Sequence, residues 1–367
     1  MSSKRIGILT SGGDCPGLNA VIRGTYKAAT QLGYECLGFL KGYEGLYSPV
    51  NYITLDRKNT TGILNEGGTI LGSTNKGRFA ATVGVQDRVE LDPELLEGVS
   101  QTVQQLGIEG LVCVGGDGSL AVAQQFREYG IPVVGVPKTI DNDLMETDLT
   151  FGFDTARTTA TDAVDRLHDT AQSHHRVMIV EVMGRNAGWL ALESGLAGGG
   201  DVILLPEVPY DLDEIAGAVR KRSRFGKRFS IIVASEGCAP RGGDQVVQRI
   251  EEGDSFEPKR LGGVGKIIAE DLEAATGIDC RVTILGHLQR GGSPTPFDRV
   301  LATRFSVEAM EMVIRRQFNH MVALKGNAMA AVPIEKVMGQ QRKVPLDSDL
   351  IRAALAVGTS FGTRDLQ

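Results

Sequence analysis

The 367-residue chain has no excess of positive charge. Its 39 Lys and Arg stand against 45 Asp and Glu, for a net charge of −6. That balance leaves no basic footprint for a nucleic-acid backbone, so an anionic substrate would need arginines gathered locally. Cysteine is scarce and scattered: Cys15, Cys36, Cys113, Cys238 and Cys280 are odd in number and show neither CxxC nor zinc-site spacing. Small buried residues in a reducing compartment are the expectation. No apolar run is long enough to span a bilayer. The chain opens on a strand-like segment without a signal-peptide pattern, so no membrane partner and a cytoplasmic location are expected. No 20–50-residue repeat recurs, and the absence of GxGxxG speaks against a dinucleotide cofactor.

Glycine is what the chain has in abundance, 47 residues of 367, against a usual share of ~7%. The glycines fall between strand-like segments. The length exceeds what one hydrophobic core commonly serves, which predicts two domains.

Residues 111–143, LVCVGGDGSLAVAQQFREYGIPVVGVPKTIDND, organise the rest. An apolar strand at 111–114 runs into the turn Gly115-Gly116-Asp117-Gly118-Ser119, and helical spacing follows over 120–129. A turn without Cβ atoms lets the backbone lie against a ligand, and the helix N-terminus would present N–H groups to phosphate. Asp117 is placed to hold Mg²⁺ beside those phosphates. A second strand, 132–136, ends in Pro137-Lys138-Thr139-Ile140-Asp141-Asn142-Asp143, which offers a candidate base. Taken alone, the turn also fits an ordinary βα connection, and Asp141 and Asp143 also fit a solvated loop or a helix N-cap.

The same pattern opens the chain: a strand at 5–10, the turn Ser11-Gly12-Gly13-Asp14-Cys15-Pro16-Gly17, and a helix over 18–32. Residues 67–78 form a third glycine-rich stretch, with Lys76 and Arg78, that either closes over a polyphosphate or is a polar surface loop. Further strands are predicted at 34–40, 51–55, 176–182, 202–205, 229–234, 280–285 and 321–324. Helices are predicted at 94–106, 153–171, 189–197, 211–222, 261–275, 297–315 and 350–356. Residues 239–258 lack a period and read as a surface loop. His174 and His175 are adjacent, not on one helical face, and so do not pair on a metal. The alternation predicts an α/β fold of mostly parallel sheets covered by helices.

Five strand-end motifs stand in order: GGDGS, PKTIDND, Met183-Gly184-Arg185, Ser235-Glu236-Gly237, and GHLQRGG from Gly286. With TSGGDCPGLNAVIRG at the start, the chain resembles the ATP-dependent 6-phosphofructokinase family over about 300 residues. The resemblance implies two Rossmann-like three-layer domains with a cleft between them, residues 1–151 plus about 290–335 binding ATP and 152–289 plus about 336–367 binding fructose 6-phosphate. It implies a homotetramer with substrate sites shared across a subunit interface. Asp141 would then be the general base toward the sugar 1-hydroxyl, with Thr139 and Asp143 supporting its loop, Thr139 sharing in catalysis, and Thr139, Ile140 and Asp141 among the substrate contacts. Asp117 would bind Mg²⁺, and Gly12, Gly13 and Gly115, Gly116, Asp117, Gly118, Ser119 would line the ATP phosphates. Met183, Gly184 and Arg185 would bind the sugar phosphate, Arg185 also stabilising charge in transfer. Glu236 would accept from sugar hydroxyls. His287, Leu288, Gln289 and Arg290 would contact the 6-phosphate side, joined by Arg176 and Arg281 from a neighbouring subunit. By themselves, Arg176 and Arg281 read as surface ion pairs.

The chain departs from the family pattern at three places. Gly118 leaves room for a nucleotide where pyrophosphate-dependent relatives usually carry Asp, whereas Lys138 is the residue those relatives share; the pair sets donor specificity. The family's Arg-Phe after Gly72-Ser73 is replaced, with Lys76 or Arg78 left to supply the cation. An effector site would draw on Arg23, Lys27, Asp201, Lys227 and Arg228, but His168 and Phe225 stand where cations are usual. The readings set against ATP as donor are a pyrophosphate-dependent enzyme and a catalytically silent sugar-phosphate-binding subunit.

Overall fold

A computed structural model describes residues 4–74, 77–79, 90–224, 228–250 and 259–366. In chain order the first half gives β1 (Lys4–Thr10), α1 (Leu18–Gln31), β2 (Tyr34–Phe39), β3 (Tyr52–Leu55), α2 (Arg57–Thr60), α3 (Pro93–Gln105), β4 (Ile108–Gly115), α4 (Asp117–Glu128), β5 (Val133–Thr139), β6 (Phe151–Gly152) and α5 (Phe153–His174). The second half gives β7 (Val177–Val182), α6 (Trp189–Ala197), β8 (Val202–Leu204), α7 (Leu212–Arg224), β9 (Ser230–Ser235), β10 (Val247–Ile250), β11 (Lys259–Leu261), α8 (Val264–Thr276), β12 (Cys280–Ile284), α9 (Pro296–Ile314), β13 (His320–Lys325), β14 (Ala328–Pro333) and α10 (Asp349–Ala356).

Two main sheets form. The larger runs β14-β13-β5-β4-β1-β2-β3, with β6 beside β5; the smaller runs β12-β7-β9-β8. The smaller sheet is parallel throughout. The larger is parallel except at its two edges, where β3 pairs antiparallel with β2 and β14 with β13. The α/β fold of mostly parallel sheets is as the sequence predicts.

Near-continuous apolar runs suit strands buried on both faces. Along β4, Val112 and Val114 enter one cluster with Ile6, Ile8, Val134 and Val136, while Leu111 and Cys113 enter another with Leu9 and Val133. In the smaller sheet Val180, Ile231 and Val233 join the first cluster, and Ile179, Ile232 and Ala234 a third. The first cluster therefore lies between the sheets, and the others lie beneath their outer faces. All five cysteines are buried and unpaired. Among the described residues no helix is long and apolar enough to cross a membrane.

Several predicted boundaries move. β5 continues through Lys138 and Thr139, and Gly115 pairs with Pro137. The stretch read as a loop over 239–258 contains β10, which pairs antiparallel with β11; residues 251–258 lie outside the described residues. The helix read from 261 begins at Val264, because Gly262 and Gly263 are left-handed, with φ of 130° and 86°, and cannot join it.

Asp298 fastens the two sheets' helices together. Fully buried at the start of α9, it accepts from the Thr155 N–H (2.8 Å) and Thr155 Oγ1 (2.5 Å) at the start of α5. Burial pushes its pKa up from 3.8 to about 6, against the lowering effect of those donors. Folding thus tightens proton binding there. The associated stability is full below about pH 4 and is lost as pH rises toward 6. Asp298→Asn should flatten this part of the profile: its Tm relative to the parent should rise between pH 4.5 and 7, by the equivalent of roughly 1–3 kcal/mol. Thermal melts across that range check it; a difference independent of pH would refute it.

Candidate active site

Chain order in the larger sheet reverses between β1, which leads to β2 on one side, and β4, which pairs on the other. Open α/β sheets bind ligands beyond the carboxyl ends of their strands at such a reversal. Both predicted glycine turns lie there. The Ser11 N–H donates to the Val114 carbonyl (2.9 Å), holding the turns side by side. The third glycine-rich stretch folds over the end of β1: Gly12 N–H donates to the Thr74 carbonyl (3.0 Å), Ser73 Oγ to the Gly12 carbonyl (2.5 Å) and Thr10 Oγ1 to the Gly72 carbonyl (3.0 Å).

The helix after β4 begins at Asp117, so Asp117, Gly118 and Ser119 form its first turn and do not precede it as the sequence reading had it. Gly116 takes the extended N-cap position, and an acidic residue in a first turn is favoured by the helix dipole. No side chain caps this N-terminus, which leaves its N–H groups to a phosphate. At Gly115 a Cβ would stand 2.2 Å from that of Ser119, so only glycine fits beneath the turn. From within the core, Tyr43 Oη donates to the Ser119 carbonyl (2.6 Å).

Asp117 carries the signature of an unmet ligand. Its Oδ1 is buried with no hydrogen-bond partner. Burial, then the nearby Asp143, pushes its pKa up from 3.8 to about 6. A buried acceptor beside phosphate-type donors fits a hard cation. Among the described residues no group of three His, Cys, Asp or Glu gathers. One carboxylate, completed by phosphate oxygens and water, is how Mg²⁺ is commonly held.

The end of β5 supplies the floor and the acidic turn. Buried Lys138 donates from Nζ to the Gly13 carbonyl. A Cβ on Gly12 would meet both Ser119 Oγ (3.3 Å) and Lys138 Nζ (3.5 Å), so these residues share one surface. Asp141 is half-buried, and its N–H donates to Thr139 Oγ1 (3.1 Å). Asn142 follows in the left-handed region at φ 52°, with its Oδ1 accepting from the Thr150 N–H (3.1 Å). Thr150 Oγ1 closes the turn on the Thr139 carbonyl (2.8 Å). Ile140 is fully buried and anchors it. Asp141 therefore sits on a fixed turn, not a solvated loop.

The carboxyl ends of the smaller sheet carry the other motifs: Met183-Gly184-Arg185 after β7, Glu236 after β9, and a 3₁₀ turn, Gly286–Arg290, after β12. The Glu236 N–H donates to the Val182 carbonyl (2.8 Å), and Gln245 Nε2 to the Arg185 carbonyl (2.9 Å). Arg290 reaches across to the first glycine turn. Its Nη1 donates to the Asp14 carbonyl (3.1 Å) and would lie 2.8 Å from a Cβ on Gly13. The two sheets thus turn their carboxyl ends toward one another. His287 and Leu288 are exposed, while Gln289 is fully buried and donates to the Gly286 carbonyl (3.2 Å).

Some predicted residues lie elsewhere. Arg176 precedes β7 and Arg281 stands second in β12, at the amino ends of these strands, about 20 Å of extended chain from Met183. Both pair with Asp279, Arg176 at 2.5 Å. Arg78 is pinned to Glu44 (2.6 Å) and stacks on Tyr47; Lys76 lies outside the described residues. Arg23 and Lys27 line a cavity of about 390 Å³ together with Arg57, a cation the sequence reading passed over. Asp201 pairs with Arg222 (2.5 Å), and His168 Nε2 is bound to the Gly198 carbonyl (2.6 Å). Phe225 and Lys227 lie outside the described residues. Sequence reading also missed residues 339–344, which cross the site; the run has no period and no motif to announce it.

Two glycine turns, a half-buried carboxylate with one buried, unpartnered oxygen, and a fixed acidic turn, with Arg290 reaching over from the smaller sheet, form a candidate phosphoryl-transfer site. The phosphofructokinase family profile matches residues 5–313, and the chain belongs to that family. It is 48% identical to an ATP-dependent 6-phosphofructokinase of Clostridium perfringens over 98% of both chains, and 48% identical to that of Chloroflexus aggregans over 99% of both. A phosphofructokinase from Saccharomyces cerevisiae superposes with a TM-score of 0.77 at 30% identity, covering 90% of this chain and 45% of the other. A pyrophosphate-dependent phosphofructokinase from Nitrosospira multiformis has a TM-score of 0.80 at 20% identity, over 97% and 92%, which speaks to the fold alone.

Proposed function

We propose that the chain transfers the γ-phosphoryl group of MgATP to the 1-hydroxyl of fructose 6-phosphate, giving fructose 1,6-bisphosphate and ADP. The observation that carries this is the meeting of the β1 and β4 turns with the β5 acidic turn where strand order reverses. In this reading the N–H groups of both turns hold the donor's phosphates. Asp141 accepts the proton of the sugar hydroxyl as its oxygen attacks phosphorus, the role an aspartate plays in kinases generally. Arg185 offsets charge on the transferring group, Glu236 accepts from sugar hydroxyls, and His287 and Arg290 hold the 6-phosphate. Asp117 holds Mg²⁺, which when bound neutralises charge between the donor's phosphates.

The domain partition that goes with this is 1–151 plus about 290–335 for the nucleotide and 152–289 plus about 336–367 for the sugar. We further propose a cytoplasmic homotetramer. Arg176 and Arg281 lie too far from the carboxyl-end cluster to join it within one protomer, so a partner's copy of the pair would complete the sugar-phosphate site.

Lys138 favours a second reading, pyrophosphate as donor, since its buried ammonium lies under the first glycine turn. One experiment separates them: bisphosphate formation by purified protein with Mg²⁺ and either ATP or pyrophosphate. Turnover with ATP at least about 100-fold above that with pyrophosphate is expected, a difference of ~3 kcal/mol. Product with pyrophosphate alone would reverse the donor assignment. Product with neither would favour the silent subunit.

A further inference from the structure

Residues 339–344 run across the site from the far end of the chain. Gly339 turns its backbone N–H toward the Asp117 carboxyl and lowers its pKa against the effect of burial. Gln341 bridges antiparallel to Leu144. Val344 N–H donates to Glu207 Oε1 (2.8 Å), and the same carboxylate accepts from the Gly188 N–H (2.9 Å). One short segment thus passes near the candidate Mg²⁺ ligand and bonds both to the acidic turn and, through Glu207, to the end of the Met183–Gly188 turn.

Arg342 is at its centre. Its N–H donates to the Asp143 carbonyl (2.8 Å), and its Nη1 to the carbonyl of left-handed Asn142 (3.3 Å). Its own carbonyl accepts from Trp189 Nε1 (2.8 Å), and its guanidinium lies 4.3 Å from the centre of the Trp189 ring. Trp189 opens α6, directly after the turn that carries Arg185. Asp148 and Glu193 act on the guanidinium only through space, without a hydrogen bond. Among the described residues the cation makes no ion pair; it is spent on a backbone carbonyl and an indole face. A planar guanidinium can stack and donate at once, which an ammonium cannot match.

From this geometry we infer that Arg342 is a positioning residue for phosphoryl transfer: it fixes the Asp141–Asp143 turn relative to the turn bearing Arg185. The inference rests on the reading of Asp141 as base. Asn142 is the pivot after Asp141, and a left-handed non-glycine residue persists only where its surroundings hold it. Removing the guanidinium would let that pivot relax while leaving every group proposed to bind substrate in place. A misplacement of about 1 Å at a reacting group can cost about 100-fold in rate.

The test compares Arg342→Met and Arg342→Lys with the parent, using kcat, KM for both substrates, Tm and the fluorescence of Trp189, the chain's one tryptophan. Arg342→Met should lower kcat about 10–100-fold, with both KM values within about threefold and an altered Trp189 emission. Arg342→Lys should recover only part of the loss. Guanidinium ion should restore part of the kcat of Arg342→Ala. Because Arg342 acts through the acidic turn, adding Arg342→Met to Asp141→Asn should cost little further. A kcat within twofold of the parent, or kcat and Tm falling together without rescue, would overturn the proposal. Full activity in Asp141→Asn would remove the base assignment; a kcat-only loss in Arg342→Met would then still mark Arg342 as positioning the turn.

Discussion

Asp141→Asn should lower kcat by about 10³–10⁴-fold, the upper part of the range for loss of a positioned base, and leave both KM values within a few-fold of the parent. The reason lies in how the turn is built. The N–H of residue 141 is held by Thr139 Oγ1, and the next residue is fixed by Thr150. These are bonds to backbone and to neighbours, and an amide of the same shape leaves them intact. The change therefore removes proton acceptance without moving the turns that hold either substrate. A loss made only in the transition state lowers kcat and kcat/KM together. Steady-state kinetics with a melt at the same pH would check this. A kcat within tenfold of the parent would place the base elsewhere, and a parallel collapse of Tm would show that the side chain supports the fold.

The parts of this site that could be read from the sequence share a physical property: they are local. A buried parallel strand followed by glycines has one common outcome, a βα turn at a carboxyl edge, so Gly12, Gly13, Gly115 and Gly116 could be placed from neighbours alone. The apolar runs at β4, β7 and β9 likewise announced strands covered on both faces. What escaped depends on distant partners. β10 is exposed along its whole length and gains its strand only by pairing with β11; the edge strand β14 forms against β13 in the same way. The exact start of α4 turned on Gly116 adopting an extended N-cap, which a run of glycines does not specify. Asp298 looked like any early helical acid, yet it joins α9 to α5 across 143 residues of sequence. Arg342 lies 200 residues from the carbonyl it meets. Arg176 and Arg281 show the limit from the other side. The family resemblance assigned them to a neighbouring subunit's sugar-phosphate site, whereas read alone they were surface ion pairs; strand direction puts them at the amino ends, where each pairs with Asp279.

Gly118→Asp should lower kcat/KM for ATP by about 10³-fold and harm pyrophosphate use less. Gly118 is the second residue of α4, in the uncapped first turn that faces the proposed donor phosphates. Two unit charges about 4 Å apart at an effective dielectric of 20 repel by ~4 kcal/mol, which is about 10³ in a rate or binding constant. The added carboxylate should not unfold the protein, because an acid in a first helical turn is favoured by roughly 0.3–1 kcal/mol. Tm should hold or rise slightly, which separates a local effect from misfolding. Pyrophosphate extends less far along the site than a nucleotide, and Lys138 still holds its ammonium on the Gly13 carbonyl beneath the turn. The ratio of ATP to pyrophosphate use should therefore fall sharply. Equal losses with both donors would mean that the carboxylate repels phosphate in general, and that Gly118 does not set donor choice. An unchanged kcat/KM for ATP would mean that the first turn of α4 does not touch the nucleotide, and the donor site would have to be sought along the β1 turn alone.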